Sequence, residues 1–336
     1  VVGATGAITR TPLIKLPTLS AMVGSDVLLK AELQSVGGSV KDRPALFMLD
    51  DAEARGVLKR GDEAAHVVES TGGNTGVGLA VVCAARGYKL TLVMPSNVSK
   101  EKQDLMRLLG ANVITRPPVP YSNHGHYYHF GKALAAADPN AFYVDQFENP
   151  ANGKAHFMTT GPEIWDATGG KVDAFICASG TGGTISGTSR FLKQQSAAVR
   201  VFLIDPPGSS LSSYVRRGKL EASPGSTTVG WGIGIGRLTK NFQQAIIDGS
   251  FDGTDDEAIA MAYWLARNEG IWVGPSAALN VVGAVKVARM LGPGHTIVTV
   301  GCDGGERYAS KLYNDPWLEE HGYSRPEVST SLDFVK

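Results

Sequence analysis

Strand-like and helix-like segments alternate along almost the whole chain. Short apolar runs at residues 66–69, 90–94 and 174–179 each lead towards a segment in which apolar residues recur with helical spacing, as in residues 76–86 and 184–195. Such alternation favours a parallel sheet covered by helices on both faces. The chain has 336 residues, enough for two units of this kind. We therefore expect an α/β protein.

Composition excludes several classes of protein. Hydrophobic residues make up 43% of the chain and charged residues 19%, which is typical of a globular protein rather than a disordered or fibrous one. The formal net charge is +0, so nothing favours nucleic acid or a membrane surface as a partner. No apolar run approaches the length of a membrane span.

The cysteines bear on the compartment. Cys83, Cys177 and Cys302 lie far apart in apolar contexts, and this pattern is typical of buried thiols in a reducing environment. We expect a cytoplasmic protein, or a mitochondrial one if a targeting segment has been removed from the N-terminus.

A lysine lies in a glycine-containing turn at residues 37–43. A strand-like run, residues 27–33, precedes this turn and a helix-like run, residues 44–55, follows it. Lys41 is thus expected where the backbone turns into a helix, and it could meet a bound anion or attack a carbonyl as a free amine. For an isolated lysine, a solvated position in the first helical turn is the simpler interpretation.

Two further glycine loops favour a chemical role for Lys41. Residues 70–76 join a strand to a helix, and Thr71, Asn74 and Thr75 add side-chain donors to the backbone amides of this loop. Residues 180–184 form a second cradle of the same kind, of a size suited to phosphate. Together, the lysine and the two loops could hold one phosphate, one carboxylate and one carbonyl group that reacts with the lysine amine.

Other ligand motifs fit less well. The phosphate-binding pattern G-x-x-x-x-G-K-[ST] is absent, because valine precedes Lys41 and aspartate follows it. The dinucleotide pattern G-x-G-x-x-G fails because Ile185 occupies the last glycine position after residue 180. His124, His126 and His129 lack a carboxylate or cysteine at ligand spacing. We interpret them as a polar loop and expect no metal site.

The glycine and lysine motifs together resemble those of the pyridoxal-phosphate enzymes of the cysteine synthase family. The resemblance runs from residue 11 to about residue 313. Residues 159–165 and 310–314 are similar to a subgroup found in some bacteria and fungi. The markers, in chain order, are residues 38–43, 72–76, 146–152, 180–184 and 303–305.

The family resemblance implies two domains, each a mostly parallel twisted sheet flanked by helices, as in the tryptophan synthase β-subunit. Pyridoxal 5′-phosphate would lie in the cleft between them. Residues 42–150 would form a smaller mobile domain that carries the loop for the substrate carboxylate. Residues 1–41 and 151–336 would form the larger domain, which carries the loop for the cofactor phosphate. A homodimer is also expected.

Residue roles also follow from the resemblance. Lys41 would form the internal Schiff base and later move the substrate α-proton, Asn74 would bond the ring hydroxyl, and Ser276 would face the pyridine nitrogen. The cofactor phosphate would be held by Gly180, Thr181, Gly182, Gly183 and Thr184. The substrate would be bound by Thr71, Gly72, Gly73, Thr75, Gln146, Trp231 and Gly232.

The implied reaction is β-replacement. A serine hydroxyl cannot keep the ring nitrogen protonated as a carboxylate would, so Ser276 implies a weaker electron sink and prompt loss of a β leaving group. The simplest case converts O-acetyl-L-serine and sulfide into L-cysteine and acetate through an aminoacrylate. Two alternatives stay open: a specialised enzyme with another nucleophile or leaving group, and a catalytically silent regulatory protein that binds the cofactor.

One residue departs from the family pattern at a place that concerns the substrate. Trp231 stands where the family motif has glutamate. Tryptophan offers one N–H donor and a large apolar face, and it cannot do ionic work. We expect Trp231 to line the mouth of the nucleophile channel and to favour a bulkier or less polar nucleophile, the alternative being a packing role.

Overall fold

The structure, a computed structural model, describes residues 3–227, 229–230, 232–327 and 329–336. The strands are β1 (Leu13–Lys15), β2 (Asp26–Lys30), β3 (His66–Ser70), β4 (Lys89–Pro95), β5 (Asn112–Arg116), β6 (Ala141–Tyr143), β7 (Ala174–Cys177), β8 (Arg200–Asp205), β9 (Gly249–Asp252) and β10 (Thr296–Val300).

Helices surround these strands. They are α1 (Gly3–Gly6), α2 (Pro17–Val23), α3 (Asp42–Ala54), α4 (Asn74–Arg86), α5 (Lys100–Leu108), α6 (Tyr127–Ala137), α7 (Ala151–Ala155), α8 (Gly161–Ala167), α9 (Gly183–Gln195), α10 (Leu211–Arg217), α11 (Asp255–Asn268), α12 (Pro275–Leu291) and α13 (Asp315–Glu320). A π-helical turn, His156–Thr160, joins α7 to α8. Within the described residues, no helix is both long enough and apolar enough to cross a membrane.

The strands form two separate sheets. The larger has the order β1-β2-β10-β7-β8-β9, and only its edge strand β1 runs antiparallel to its neighbour among the described strands. The smaller has the order β5-β4-β3-β6 and is parallel in each described pairing. The expected α/β architecture, with two mostly parallel sheets flanked by helices, is confirmed. Since parallel strands end at one edge, each sheet gathers its loops on one side.

Burial follows from this layering. Helices cover both faces of each sheet, so central strands such as β3 and β10 are buried at four of their five positions. Apolar residues of the two sheets fall into separate clusters. The cluster of the smaller sheet extends beyond its strands to Ile8 and Ala151.

Short peripheral elements escaped the sequence pattern. Residues 206–236, which are rich in glycine, serine and proline, contain helix α10, whose serine-rich sequence has weak helix propensity. The edge strands β1 and β9 are only three and four residues long, too short to display an alternating pattern. Helix α12 begins at Pro275, because proline is well suited to the first helical turn.

A buried ion network secures the first turn of α3. The Arg43 side chain is fully buried, and its guanidinium pairs with Glu32 at 2.6 Å and with Glu163 at 2.7 Å. Lys30 Nζ lies 2.7 Å from the second oxygen of Glu163. The Thr11 hydroxyl donates to Glu32 at 2.6 Å. Two cations therefore meet two carboxylates, and the buried charge is balanced.

The network keeps Glu163 ionised. Burial by itself raises the pKa of Glu163, but hydrogen bonds and charges from Arg43 and Lys30 outweigh burial and lower this pKa to about 2. Because Arg43 lies two residues after Lys41, the network anchors the backbone that presents the lysine.

Replacing Arg43 with alanine should lower the free energy of unfolding by about 3–5 kcal/mol, since Glu32 would be left buried without its partner. Urea unfolding measures this loss. Arg55→Ala is the matched control, because Arg55 pairs with Asp51 at the exposed end of the same helix and should cost less than about 1 kcal/mol. Equal losses in the two variants would contradict the account.

Candidate active site

A cavity of about 570 Å³ lies where the two sheets bring their loops together. Its lining includes residues that follow the carboxyl ends of β3, β4 and β6 in the smaller sheet and of β7 and β10 in the larger. Ligand sites of parallel α/β sheets typically lie beyond these ends. The cavity is therefore the candidate active site.

Most of the residues singled out from the sequence meet at this cavity. Gly183 is buried at the start of α9 and is not part of the lining. Trp231 lies outside the described residues, so the expectation for it is untested. The lining contains Lys41, Thr71, Gly72, Gly73, Asn74, Thr75, Gln146, Gly180, Thr181, Gly182, Thr184, Gly232 and Ser276.

Lys41 occupies the N-cap position of α3, as expected. Its carbonyl accepts the first intrahelical hydrogen bond, from the Ala45 amide at 3.0 Å. Helix α4 packs closely against this carbonyl, because a Cβ atom at Gly78 would lie only 3.0 Å from the Lys41 oxygen. The backbone of Lys41 is thus fixed by its own helix, α3, and by helix α4, which follows the first glycine loop, residues 70–76.

Thr75 and Gln146, which are predicted to bind the substrate carboxylate, are joined by a hydrogen bond. The Thr75 hydroxyl donates to Gln146 Oε1 at 2.6 Å, and Gln146 Nε2 donates to Glu69 Oε1 at 3.3 Å. Glu69 is fully buried at the end of β3, and its second carboxyl oxygen has no hydrogen-bond partner among the described residues. The sequence pattern did not point to Glu69.

Burial shifts the Glu69 carboxyl towards its neutral form. Burial raises the pKa of its carboxyl, and the nearby charge of Asp145 raises it further, to about 8, although hydrogen bonds from Asp145 and Gln146 oppose the shift. Tyr127 and Tyr143 lie near the same carboxyl. A protonated Glu69 places no negative charge beneath the Thr75–Gln146 pair.

The second glycine loop, residues 180–184, is packed so tightly that its glycine positions have no room for side chains. A Cβ atom at Gly180 would lie 2.1 Å from the Gly232 carbonyl, and one at Gly183 would lie 1.9 Å from Asn152 Oδ1. Gly182 has a φ of +88°, which favours glycine. The N-terminus of α9 is therefore open to the cavity and can receive an anion.

Two side chains beside this loop were not foreseen. The Ser179 hydroxyl is buried at the cavity and has no hydrogen-bond partner among the described residues. His156 lies 3.2 Å from the Thr184 hydroxyl and 2.9 Å from the Thr160 hydroxyl. Burial first, and then the positive charges of Arg43 and Lys41, lower the pKa of His156 well below its usual value. A neutral His156 thus orients Thr184.

The cavity is electropositive. Its described lining includes Lys41, Lys102, Arg307 and Lys311 and contains no aspartate or glutamate. Burial lowers the pKa of Lys102, and the neighbouring Arg307 and Lys311 lower it further, against the attraction of Asp303. The cavity thus combines the glycine loop at the N-terminus of α9, the unpaired Ser179 hydroxyl and the Lys41 amine. These groups fit a cofactor that carries a phosphate and an aldehyde.

The three loop histidines make local contacts. The His126 ring accepts the amide hydrogen of Tyr128 at 3.2 Å, and His129 Nε2 lies 2.7 Å from the Tyr121 carbonyl. Within the described ranges, no three histidine, cysteine or acidic side chains are grouped as metal ligands would be.

Comparisons with known proteins decide the family. Residues 4–303 match the family model described as pyridoxal-phosphate dependent enzyme. The chain belongs to this family. It is 49% identical to cysteine synthase 1 of Emericella nidulans, over 95% of this chain and 86% of that protein. It is 50% identical to cysteine synthase 1 of Neurospora crassa, over 95% of this chain and 85% of that protein.

A solved structure supports the same assignment. The chain resembles the crystal structure of an O-acetylserine-dependent cystathionine β-synthase from Helicobacter pylori, with a TM-score of 0.83 and 32% identity. The match covers 93% of this chain and 98% of that one. The expected membership of the cysteine synthase family, with pyridoxal phosphate as its cofactor, is confirmed.

The buried Glu69 carboxyl should make stability depend on pH. Between the usual carboxyl pKa and about 8, the unfolded chain has lost this proton while the folded chain keeps it. Glu69 therefore makes the free energy of unfolding fall as pH rises, by about 1.4 kcal/mol per pH unit. Glu69→Gln should remove this slope, so that its stability relative to wild type increases from pH 5 to pH 8.

Urea unfolding at several pH values measures the Glu69 effect. Glu148→Gln is the control: burial by itself raises the pKa of Glu148, but hydrogen bonds and charges from Arg237 and Lys240 together outweigh burial and lower it. The effect of that variant should therefore stay constant over the same pH range. A constant difference for Glu69→Gln as well would show that Glu69 is ionised in the folded protein.

Proposed function

We propose that this chain is a cysteine synthase that converts O-acetyl-L-serine and sulfide into L-cysteine and acetate. The observation that carries the proposal is the convergence of Lys41 and both glycine loops on one electropositive cavity. Relatives of about half identity over nearly the whole chain are named cysteine synthases.

The cofactor phosphate would be held by the second glycine loop. The bare N-terminus of α9 supplies backbone N–H donors, and the hydroxyl of Thr184 is oriented by His156. Gly180, Gly182 and Gly183 make the close approach possible, and Thr181 is held by Asn152 at 3.0 Å. When bound, pyridoxal phosphate draws electrons from the α-carbon of the attached amino acid, which allows a β substituent to leave.

Lys41 would supply the amine that anchors the cofactor, and its Nζ would take and return the substrate α-proton. Its position at the start of α3 is fixed by the Arg43 ion network and by close packing of α4. A fixed backbone keeps the amine within reach of the α-carbon, which is a condition for general acid–base catalysis.

The first glycine loop would bind the substrate carboxylate through Thr71, Gly72, Gly73, Thr75 and Gln146. The neutral state of Glu69 supports this role, because an ionised Glu69 behind Gln146 would repel a carboxylate. The hydrogen bond from Thr75 to Gln146 fixes both side chains before the substrate arrives. Such preorganisation lowers the entropic cost of binding.

Ser276 would face the pyridine nitrogen. It is 6% exposed at the first turn of α12 and lines the cavity beside Cys302. A hydroxyl donates only a neutral hydrogen bond, so the ring nitrogen would stay unprotonated and the electron sink would be weak. A weak sink favours prompt loss of acetate over other fates of the α-carbon.

The identity of the nucleophile is the open part of the proposal. Gly232 contributes to the cavity lining and approaches Gly180 closely. The residue before it, Trp231, replaces the glutamate of the family pattern. This substitution keeps the specialised alternative open, in which a bulkier or less polar thiol replaces sulfide.

Three features of the assembly belong to the same proposal. Residues 42–150 would move as the smaller domain, since the four-stranded sheet lies wholly within them. The chain would act as a homodimer, as the family resemblance implies. The free cysteines fit a reducing compartment, the cytoplasm or the mitochondrial matrix.

Turnover tests the proposed reaction. Purified protein with pyridoxal phosphate, O-acetylserine and sulfide should yield cysteine, detected by mass spectrometry. Lys41→Ala should reduce kcat by at least about a hundredfold, as loss of a catalytic acid–base group does. Lys59→Ala, at an exposed position outside the cavity lining, is the control and should retain activity.

The same assay separates the alternatives. Comparing kcat/KM for sulfide and for a bulky thiol shows which nucleophile is preferred. A preference for the bulky thiol would favour the specialised enzyme. Absence of turnover with every nucleophile, in protein that holds the cofactor, would favour the regulatory protein and overturn the proposal.

A further inference from the structure

The Asn74 side chain is held between two charged residues that follow β10. Asn74 Nδ2 donates to Asp303 Oδ2 at 2.7 Å, and Arg307 Nη1 donates to Asn74 Oδ1 at 2.6 Å. The three side chains, named here the Asn74 clamp, join the first glycine loop of the smaller sheet to a segment of the larger sheet. The roles considered so far do not explain Asp303 or Arg307.

The charges of the clamp fix the orientation of the amide. A carboxylate can only accept hydrogen bonds, and a guanidinium can only donate them. If the Asn74 amide were reversed, its oxygen would face the Asp303 carboxylate and its NH₂ group would face the Arg307 guanidinium. Both contacts would be repulsive, so the amide has a single favourable orientation.

The surrounding backbone leaves room for both charged groups. A Cβ atom at Gly274 would lie 2.0 Å from Asp303 Oδ1, and one at Gly38 would lie 2.6 Å from Arg307 Nη2. Gly38 also has a φ of +74°, and the Arg307 guanidinium donates a second hydrogen bond to the Gly37 carbonyl. Substituents at two separate glycines would therefore displace the clamp.

Asp303 is positioned as an acceptor and is shielded from water. Its side chain is fully buried, and the Tyr308 hydroxyl donates to Oδ2 at 2.6 Å beside the bond from Asn74. Oδ1 has no hydrogen-bond partner among the described residues. A hydrogen bond to a buried charge is stronger than one between neutral groups, so Asp303 holds Asn74 firmly.

We propose that Asp303 and Arg307 are positioning residues that fix Asn74 as a hydrogen-bond donor towards an anionic oxygen of the cofactor ring. With one N–H engaged by Asp303, the second hydrogen on Nδ2 remains for a ligand in the cavity that Asn74 lines. The proposal rests on the proposed function and on the role that the family resemblance implies for Asn74, a hydrogen bond to the ring hydroxyl. It adds that this contact forms only when both sheets contribute their parts of the clamp.

Exchanging the asparagine and aspartate side chains between positions 74 and 303 separates the effect of the Asn74 donor on cofactor binding from the effect of the clamp on folding. Asn74→Asp alone would oppose two carboxylates and should destabilise the protein. The double variant Asn74→Asp with Asp303→Asn restores a hydrogen bond between the two side chains and keeps the net charge. It also keeps the acceptor for Arg307, but it presents an acceptor to the cofactor in place of a donor.

Two readouts are needed, neither of them activity: the thermal unfolding temperature of the cofactor-free protein, and the dissociation constant and absorption maximum with pyridoxal phosphate as the probe. The double variant should recover the unfolding temperature lost in Asn74→Asp. Its cofactor dissociation constant should still be raised by about tenfold or more, with a shifted absorption maximum, because the donor is lost.

Tyr308→Phe is the matched control. It removes the other hydrogen bond to Asp303 but leaves the orientation of Asn74 enforced, so the cofactor dissociation constant should change by less than about threefold. If the double variant recovers both stability and wild-type cofactor binding, the clamp is structural only and the inference is wrong. If wild-type protein itself does not bind the cofactor, the proposed function fails instead.

Discussion

The buried ion network around Arg43 is the constraint on which the site depends. It ties α3 to Glu32 and to Glu163 of α8, with Lys30 of β2 completing the charge balance. Taking four charged groups out of water is costly, and each is tolerated only because its partners are present. The turn that presents Lys41 ends at Arg43, within this network, so the position of the lysine is set by electrostatics as well as by helix geometry.

Small residues then bring the functional loops to the lysine. Gly78 lets α4 approach the Lys41 carbonyl, and Gly182 and Gly183 let the start of α9 pack against Phe242 and Asn152. These contacts leave backbone amides rather than side chains at the cavity. In the same way, the absence of side chains at Gly274 and Gly38 lets Asp303 and Arg307 approach Asn74 from the larger sheet. The cavity thus combines dense packing with unused hydrogen-bond donors.

Much of this could be predicted from the sequence because its signals are local. A strand, a glycine loop and a helix follow one another within a few residues, so the loops that carry Asn74 and Thr184 could be recognised directly. The helix start at Lys41 could likewise be recognised from the residues directly before and after it.

The groups that were missed depend on contacts between distant segments. Arg307 and Asn74 are 233 positions apart, and nothing near either residue in the sequence indicates the contact. Glu69 looks like an ordinary strand residue until its complete burial is known. His156 lies in the π-helical turn after α7, and its contact with Thr184 requires this turn and α9 to pack together. Sequence spacing carries no information on such packing.

We propose that Lys41 is the residue that carries the cofactor. A rival exists in the same cavity, since burial lowers the pKa of Lys102 and thereby favours a free amine there as well. Borohydride reduction of the cofactor-loaded protein, followed by proteolysis and mass spectrometry, identifies the modified peptide. We expect the cofactor mass on Lys41 alone. Cofactor mass on Lys102, with Lys41 unmodified, would contradict it.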